Sequence, residues 1–403
     1  MNASKSSRDF VAAHVRDLPR SGIRDFFDIV ATRNDIISLG IGEPDFVTPW
    51  HIREAAIAAI EHGATRYTAN LGLGELRKSI VRYLKQSYAG LAYDWRTETL
   101  VTVGVSEGLD LAIRATLSPG EEVLYHEPCF VAYAPLIRLA HAVPVAVETH
   151  AAQDFRLTRA ALEASVTPRT RALLINFPCN PTGAVLTAED AAMIADFVAE
   201  HDLLLLTDEV YSELTYDVPR VSVAMRPEVR ERTIFLGGFS KAWAMTGFRL
   251  GFVCAPPDLI EAMMKVHQYG MMCAPVISQK AGIEALDNGW DDIAAMRDSY
   301  RERRNMICAA FAEMGLECYV PQGAFYAFPS IRSTGLSSMD FARRFLDEEA
   351  VACVPGSAFG ACGEGFLRCA YATDIEQIRE AMRRLATFVG RLCRARGTLP
   401  PGG

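Results

Sequence analysis

Short apolar runs alternate with helical patterns between residues 99 and 255. The runs are TLVTVG (99–104), EEVLYH (121–126), VPVAVE (143–148), RALLINFP (171–178), LLLLTDE (203–209), TIFLGGFS (233–240) and RLGFVCA (249–255). Several are continuously apolar, as expected of parallel strands covered on both faces. The stretches between them carry helix-start signals. TAEDAAMIADFVAEH opens on Thr187 with Asp190 three residues later, close to a capping box. The alternation predicts an α/β fold: a mainly parallel sheet with helices on both sides.

Upstream, TPWHIREAAIAAIEHG and GELRKSIVRYLKQSYAG read as helices joined by the glycine-rich TRYTANLGLG. Downstream, residues 275–315 read as one long helix or two. The last hundred residues mix short strands (ECYVPQG, AFYAFPS, FLRCAYA) with helices near 338–349 and 374–394. This predicts a second, smaller α+β domain. The expected division is a large domain over 49–290, a small domain from 1–48 with 291–395, and a disordered tail over 396–403.

Composition narrows the function classes. A chain of 403 residues, half of them hydrophobic, reads as an ordinary globular protein of more than one domain. Its net charge of −8 argues against nonspecific binding to nucleic acid or anionic membranes. No apolar run approaches the roughly 20 residues that span a bilayer, and the polar N-terminus lacks a secretory apolar core. The ten cysteines show neither CxxC nor metal-ligand spacing, so neither a metal site nor a disulfide framework is expected. Most read as small core residues, and the cytoplasm is the default location.

Ligands of open α/β sheets bind at the carboxyl ends of the strands. The polar residues that follow each run are therefore the candidates. After 99–104 comes VSEGLDLAIRATL, a helix start whose free N–H groups at Val105 and Ser106 suit a phosphate, although any helix start looks similar. PCNPTG brings Asn180 in a set of ordinary turn formers. Asp208 closes a run of four leucines, so a buried carboxylate is expected there, either in a structural salt bridge or facing a cationic ring nitrogen. Tyr211 can reach the same place. Ser240, Lys241 and Arg249 follow the run at 233–238. A lone lysine on a loop is usually a solvated charge. A desolvated one forms Schiff bases, and Arg249 is then a plausible anion clamp. Together these are the parts that pyridoxal phosphate needs: a lysine for its aldehyde, an acid for its ring nitrogen and a phosphate cup.

GFSKAWAMTGFRLGF (238–252) resembles the lysine motif of the fold-type-I, class I/II aminotransferases. LGIGEPDF, TRYTANLGLGELR, NFPCNPTG, LTDEVYSELTY and FLRCAYAT resemble further blocks of that family in the same order, so the likeness spans about residues 22–388. SGIRDFFDI, VHQYGMMCAP and VPGSAFG are similar to the subgroup holding aspartate, aromatic and N-acetyl-LL-diaminopimelate aminotransferases.

The resemblance implies a PLP-transferase fold with a mainly parallel seven-stranded sheet in the large domain, pyridoxal 5′-phosphate as cofactor, and a homodimer with shared active sites. It implies that Lys241 binds the cofactor covalently and later moves the substrate α-proton. Asp208 would keep the ring nitrogen protonated, Asn180 and Tyr211 would bond the phenolic oxygen, and Phe130 would stack on the ring. Val105, Ser106, Ser240 and Arg249 would hold the phosphate, joined by Tyr67 from the neighbouring subunit. Arg368 would grip the substrate α-carboxylate, with Gly42 and Asn180 nearby. Burial and the adjacent Arg249 are expected to lower the Lys241 pKa. Three positions depart from the family pattern: Gly238 replaces a frequent phosphate-binding Ser, Phe130 a Trp or Tyr, and Cys179 a Ser or His.

The implied reaction is a ping-pong transfer from an L-amino acid to a 2-oxo acid, with 2-oxoglutarate the expected acceptor. The donor stays open among aspartate, aromatic amino acids and N-acetyl-LL-diaminopimelate. Arg24 suits a distal substrate carboxylate or an interdomain salt bridge. HQYGMMCAP (267–275) suits a side-chain pocket or simple core filling. A lyase on the same fold and a non-catalytic cofactor-binding regulator are the alternatives. The motif region begins too early to leave room for a helix-turn-helix, and no GxGxxG follows the first strand-like run, which argues against a nicotinamide dehydrogenase.

Overall fold

The computed structural model describes residues 7–18 and 35–395. Arg24 and the 396–403 tail lie outside the described residues. Within them, the seven apolar runs form seven strands: β2 (Thr99–Thr102), β3 (Glu122–Glu127), β4 (Val143–Glu148), β5 (Thr170–Asn176), β6 (Leu204–Asp208), β7 (Thr233–Gly238) and β8 (Gly251–Cys254). They build one sheet in the order β2-β8-β7-β6-β5-β3-β4. All neighbours pair in parallel except β8, which runs antiparallel to both β2 and β7. Strands β5 to β8 are apolar on both faces because helices cover both.

The register decides where the chemistry collects. Thr102 and Gly238 both pair with Gly251, Asp208 pairs with Leu236, and Asn176 pairs with Asp208. The carboxyl ends of β2, β7, β6 and β5 therefore lie side by side. Because β8 is reversed, the 12-residue link carrying Lys241 and Arg249 stays at that same end. Buried Phe239, Trp243, Met245 and Leu250 anchor this link, packing against the helices Gly74–Ser87 and Val276–Asn288.

The predicted helices form at Trp50–Glu61, Gly74–Ser87, Gly104–Thr116 and Ala188–Glu200. Thr187 and Asp190 complete a full capping box. Residues 275–315 make two helices, Val276–Asn288 and Trp290–Glu313, broken at Gly289, where a Cβ would meet the Ala285 carbonyl at 2.7 Å.

A second region gathers the helices Trp290–Glu313, Ser338–Glu349 and Ile375–Ala395 around short strands. There β9 (Tyr326–Ala327), β11 (Val354–Pro355) and β12 (Leu367–Ala370) form a small antiparallel sheet. Separately, β1 (Ile37–Ser38) pairs in parallel with β10 (Val351–Ala352). Leu39 shares a core with Tyr300, Phe325 and Phe388 of this region. The stretch Ala13–Arg16, expected to accompany it, instead touches helix Tyr133–Leu139 beside the large sheet, with the His14 and His141 rings 4.6 Å apart.

ECYVPQG does not form the expected strand. Pro321 has no N–H, and the segment bonds loop by loop instead. The Gln322 amide donates to Gly183 O, the Tyr216 amide to Gln322 O and the Ser330 amide to Glu317 O. All ten cysteines are free thiols, six of them buried, and Cys179 is a core residue whose thiol burial pushes up to about 11. No helix among the described residues is long and apolar enough to cross a membrane.

Candidate active site

A cleft of about 700 Å³ opens at the carboxyl ends of β2 and β5–β7, with β12 closing the far wall. It is lined by Gly42, Val105, Ser106, Phe130, Asn180, Asp208, Tyr211, Ser240, Lys241, Arg249 and Arg368, all singled out from the sequence. Tyr67 is not in it and is 81% exposed.

One end has the form of an anion cup. The helix Gly104–Thr116 starts directly after β2, leaving the Val105 and Ser106 amides at its open first turn. Three glycines allow the close approach. A Cβ at Gly104 would lie 2.9 Å from Arg249 Nη2, and one at Gly251 would lie 2.7 Å from the Val105 nitrogen. A Cβ at Gly238 would meet Val105 Cγ2 at 2.6 Å, which explains why no serine stands there. Arg249 takes a left-handed backbone (φ 49°) and donates to Thr246 O at 3.1 Å, so its exposed guanidinium folds back over the helix start.

At the centre, Asp208 is buried at the end of β6. Its Oδ2 accepts from the Tyr133 hydroxyl at 2.8 Å and its Oδ1 from the Val210 amide at 3.2 Å. Burial pushes its pKa up to about 6 against these donors and the Lys241 charge. Asn176 ties the floor together, donating to Asp208 O at 2.8 Å and accepting from the Asn180 amide at 3.1 Å.

Lys241 reaches across the cleft and donates to Gly42 O at 2.6 Å. Its pKa falls to about 8. Burial is the main cause, followed by the Arg368 charge, with Arg249 behind it; Glu43 and Asp208 pull the other way. The expected effect of Arg249 is thus present but smaller than that of Arg368.

On the far wall Arg368 is 4% exposed, lies over the Tyr326 ring at 4.6 Å, and donates to Asn180 Oδ1 at 3.1 Å and to Gly40 O. Its Nε is buried without a partner. Among the described residues, no carboxylate pairs with Lys241 or Arg368. A buried Arg368 and a half-buried Lys241, neither in salt-bridge contact with a carboxylate, therefore face one cleft, as a binding site for an anion requires. The cup, the acid and the paired cations fit pyridoxal phosphate and an amino-acid carboxylate.

The sequence reading missed Tyr133, Asn176, Tyr326, Glu43 and Thr246, all in the cleft wall. Asn176 carried a signal: like Asp208, it is a polar residue closing a continuous apolar run. Tyr326 carried none, since its strand has two residues. HQYGMMCAP lines no part of this cleft and fills little core. His267 is buried against Glu107 at 2.8 Å, but Tyr269, Met271 and Met272 are exposed.

The family described as Aminotransferase class I and II matches residues 34–385. A Bacillus subtilis protein named as an aminotransferase, YugH, is 52% identical over 380 residues, covering 94% of this chain and 98% of its own. An aspartate aminotransferase of Pyrococcus abyssi is 47% identical over 368 residues, 91% of this chain and 94% of its own. The solved aromatic aminotransferase of Pyrococcus horikoshii superposes with a TM-score of 0.87 at 46% identity, covering 92% of this chain and 99% of that one.

Proposed function

The chain belongs to the class I and II aminotransferases and is a pyridoxal-phosphate-dependent transaminase, and from that premise we propose a ping-pong transfer of an amino group between an L-amino acid and 2-oxoglutarate, with the following roles. The cofactor supplies an aldehyde that holds the amino group and a ring that takes up the electron pair left at the substrate α-carbon. Lys241 would hold the cofactor covalently through its amine, and that amine would serve as the base for the substrate Cα proton. An amine with a pKa near 8 suits this, being partly neutral at working pH. Asp208 keeps the ring nitrogen protonated, a cation that would complete its buried carboxylate. Tyr211 and Asn180 serve the phenolic oxygen, and Phe130 the ring face. The Val105 and Ser106 amides, Ser240 and Arg249 hold the phosphate. Arg368 binds the substrate α-carboxylate beside Gly42 and Asn180.

The observation carrying this reading is a cleft lined together by Lys241, Asp208 and the buried Arg368, with neither cation in salt-bridge contact with a carboxylate. The donor is of the aspartate, aromatic or N-acetyl-LL-diaminopimelate kind named for the relatives. Arg24, outside the described residues, is kept as a candidate for a distal carboxylate. We also propose a cytoplasmic homodimer in which Tyr67 reaches the phosphate of the neighbouring subunit. In support, Tyr67, Tyr269, Met271 and Met272 are exposed, and Asn70 bonds Met272 O at 2.7 Å, placing them on one face. The ten free thiols suit a reducing compartment. The large domain is proposed over 49–290 and the small one over 291–395 with the chain around 35–48.

The test is a half-reaction screen. Holoenzyme is mixed with single L-amino acids, including aspartate, phenylalanine and N-acetyl-LL-diaminopimelate, while cofactor absorbance and released 2-oxo acid are followed. One 2-oxo acid per site, with renewed turnover only when 2-oxoglutarate is added, is the expected result. Continuous 2-oxo acid release without an acceptor would mean a lyase and overturn the reading.

A further inference from the structure

Tyr326 touches both halves of the cleft. It sits on β9, paired in register with Ala370, two residues beyond Arg368 on the neighbouring strand. It is fully buried. Its hydroxyl lies 2.8 Å from the Tyr211 hydroxyl, and the Arg368 guanidinium lies 4.6 Å above its ring centroid. It also accounts for the glycine at 42, where a Cβ would come within 2.6 Å of the Tyr326 oxygen.

Each phenol has one proton to give. Among the described residues, the only hydrogen-bond partner of either hydroxyl is the other. If Tyr211 donated to Tyr326, the Tyr211 proton would be spent on that bond and unavailable to a ligand in the cleft. If Tyr326 donates to Tyr211, the Tyr211 proton is left for the open cleft. The Arg368 guanidinium lies against the Tyr326 ring, where its positive charge favours the arrangement in which this hydroxyl is the donor. The same ring is one of two aromatic faces against the guanidinium, the other being Phe359 at 4.9 Å, and it is the nearer.

We infer that Tyr326 is a positioning residue for both ligands: its hydroxyl turns the Tyr211 proton toward the cofactor's phenolic oxygen, and its ring holds Arg368 in place for the substrate carboxylate. This rests on the roles proposed above for Tyr211 and Arg368. A stronger donor at the phenolic oxygen draws charge from it and makes the neighbouring lysine nitrogen less basic. The hydroxyl and the ring should therefore have separable effects.

Two holoenzyme variants separate them. Tyr326→Phe keeps the ring and loses the hydroxyl, and Tyr326→Leu loses both. The first readout is the pH at which cofactor absorbance titrates with no substrate present; the second is KM for L-aspartate and L-phenylalanine. In Tyr326→Phe the titration should move up by about one pH unit, with KM changed less than roughly twofold. Tyr326→Leu should show the same shift and raise KM about tenfold. A Tyr326→Phe titration that overlays the wild type would overturn the hydroxyl role, and equal KM values in the two variants would overturn the ring role. If Tyr326→Leu does not fold, Tyr326→Met replaces it and is read the same way. Failure of the underlying reading would look different: borohydride reduction of the wild type would leave no cofactor mass on Lys241.

Discussion

Buried charge is handled by different rules around the cleft and in the rest of the interior. Away from the cleft several cations are matched by carboxylates, while the buried Arg77 is satisfied by the Gly72, Trp95 and Arg96 carbonyls. Arg303 pairs with Asp45 at 2.8 Å, Arg304 with Asp217 at 2.6 Å, and Arg220 with Glu213. Glu209, next in the chain to Asp208, is surrounded by the hydroxyls of Thr207, Ser212 and Ser222. Around the cleft, Lys241 and Arg368 have no carboxylate, and Asp208 has one phenol and one amide. Two adjacent acids on one strand end thus differ in completeness, and the incomplete one faces the cavity. Burying an unpaired charge is costly, so groups left in that condition mark where ligands are to supply the missing partners.

The largest expected effect comes from the cleft itself. Lys241→Ala should reduce steady-state transamination by about 10³-fold or more and abolish borohydride-fixed cofactor, as read by intact mass. Wild-type turnover in this variant would break the comparison at its centre.

Next is a paired substitution. Arg368→Leu should lower kcat/KM for amino acids by about 10²-fold, yet cost less stability, about 1–2 kcal/mol, since it removes a buried cation with no counter-ion and leaves only the neutral acceptors Asn180 Oδ1 and Gly40 O without their donor. Arg220→Leu leaves the buried Glu213 without its cation, with only the Tyr83 hydroxyl as donor, and should cost about 3 kcal/mol, seen as a lower denaturation midpoint, with kcat/KM per folded molecule unchanged. Similar stability losses in both variants would erase the distinction between the regions.

Tyr133→Phe should weaken cofactor binding by about tenfold at neutral pH, measured by equilibrium dialysis. Losing a donor to the carboxylate raises the Asp208 pKa further above about 6, so the deficit should grow as pH falls. A pH-independent deficit would point to lost packing instead.

The smallest effect is a shift in a midpoint. Covalent capture of the cofactor by apoprotein needs the neutral amine, so its rate should rise with pH through about 8 in the wild type. Arg368→Leu removes a neighbouring cation that disfavours the charged amine, so this midpoint should move upward. An unchanged midpoint would assign the depressed pKa to burial and Arg249.

The strands of the large sheet were legible because parallel strands covered on both faces must be continuously apolar, and a polar residue closing such a run stands out. Asp208 was found this way, and Asn176 was available by the same rule. Lys241, Asn180, Arg249 and Arg368 gained meaning only as a set with a family resemblance behind it, since each alone has an ordinary structural reading. ECYVPQG was misread because its composition suits a strand, while Pro321 and the surrounding loops decide its hydrogen bonding. HQYGMMCAP was misread because local sequence does not reveal which residues of a helix end face out.

What the sequence by itself determined is the alternation of elements and the types of residue at the strand ends, since both follow from local periodicity and from the need to bury continuous apolar surface. Only the tertiary structure decided the partnerships. The reversed β8 keeps Lys241 and Arg249 at the carboxyl end of the sheet. The register of β9 and β12 puts Tyr326 beneath Arg368, and Arg368 proves to be the strongest charged influence lowering the Lys241 pKa. These depend on contacts between residues far apart in the chain, and Coulomb forces and hydrogen bonds act through distance in space rather than spacing in sequence.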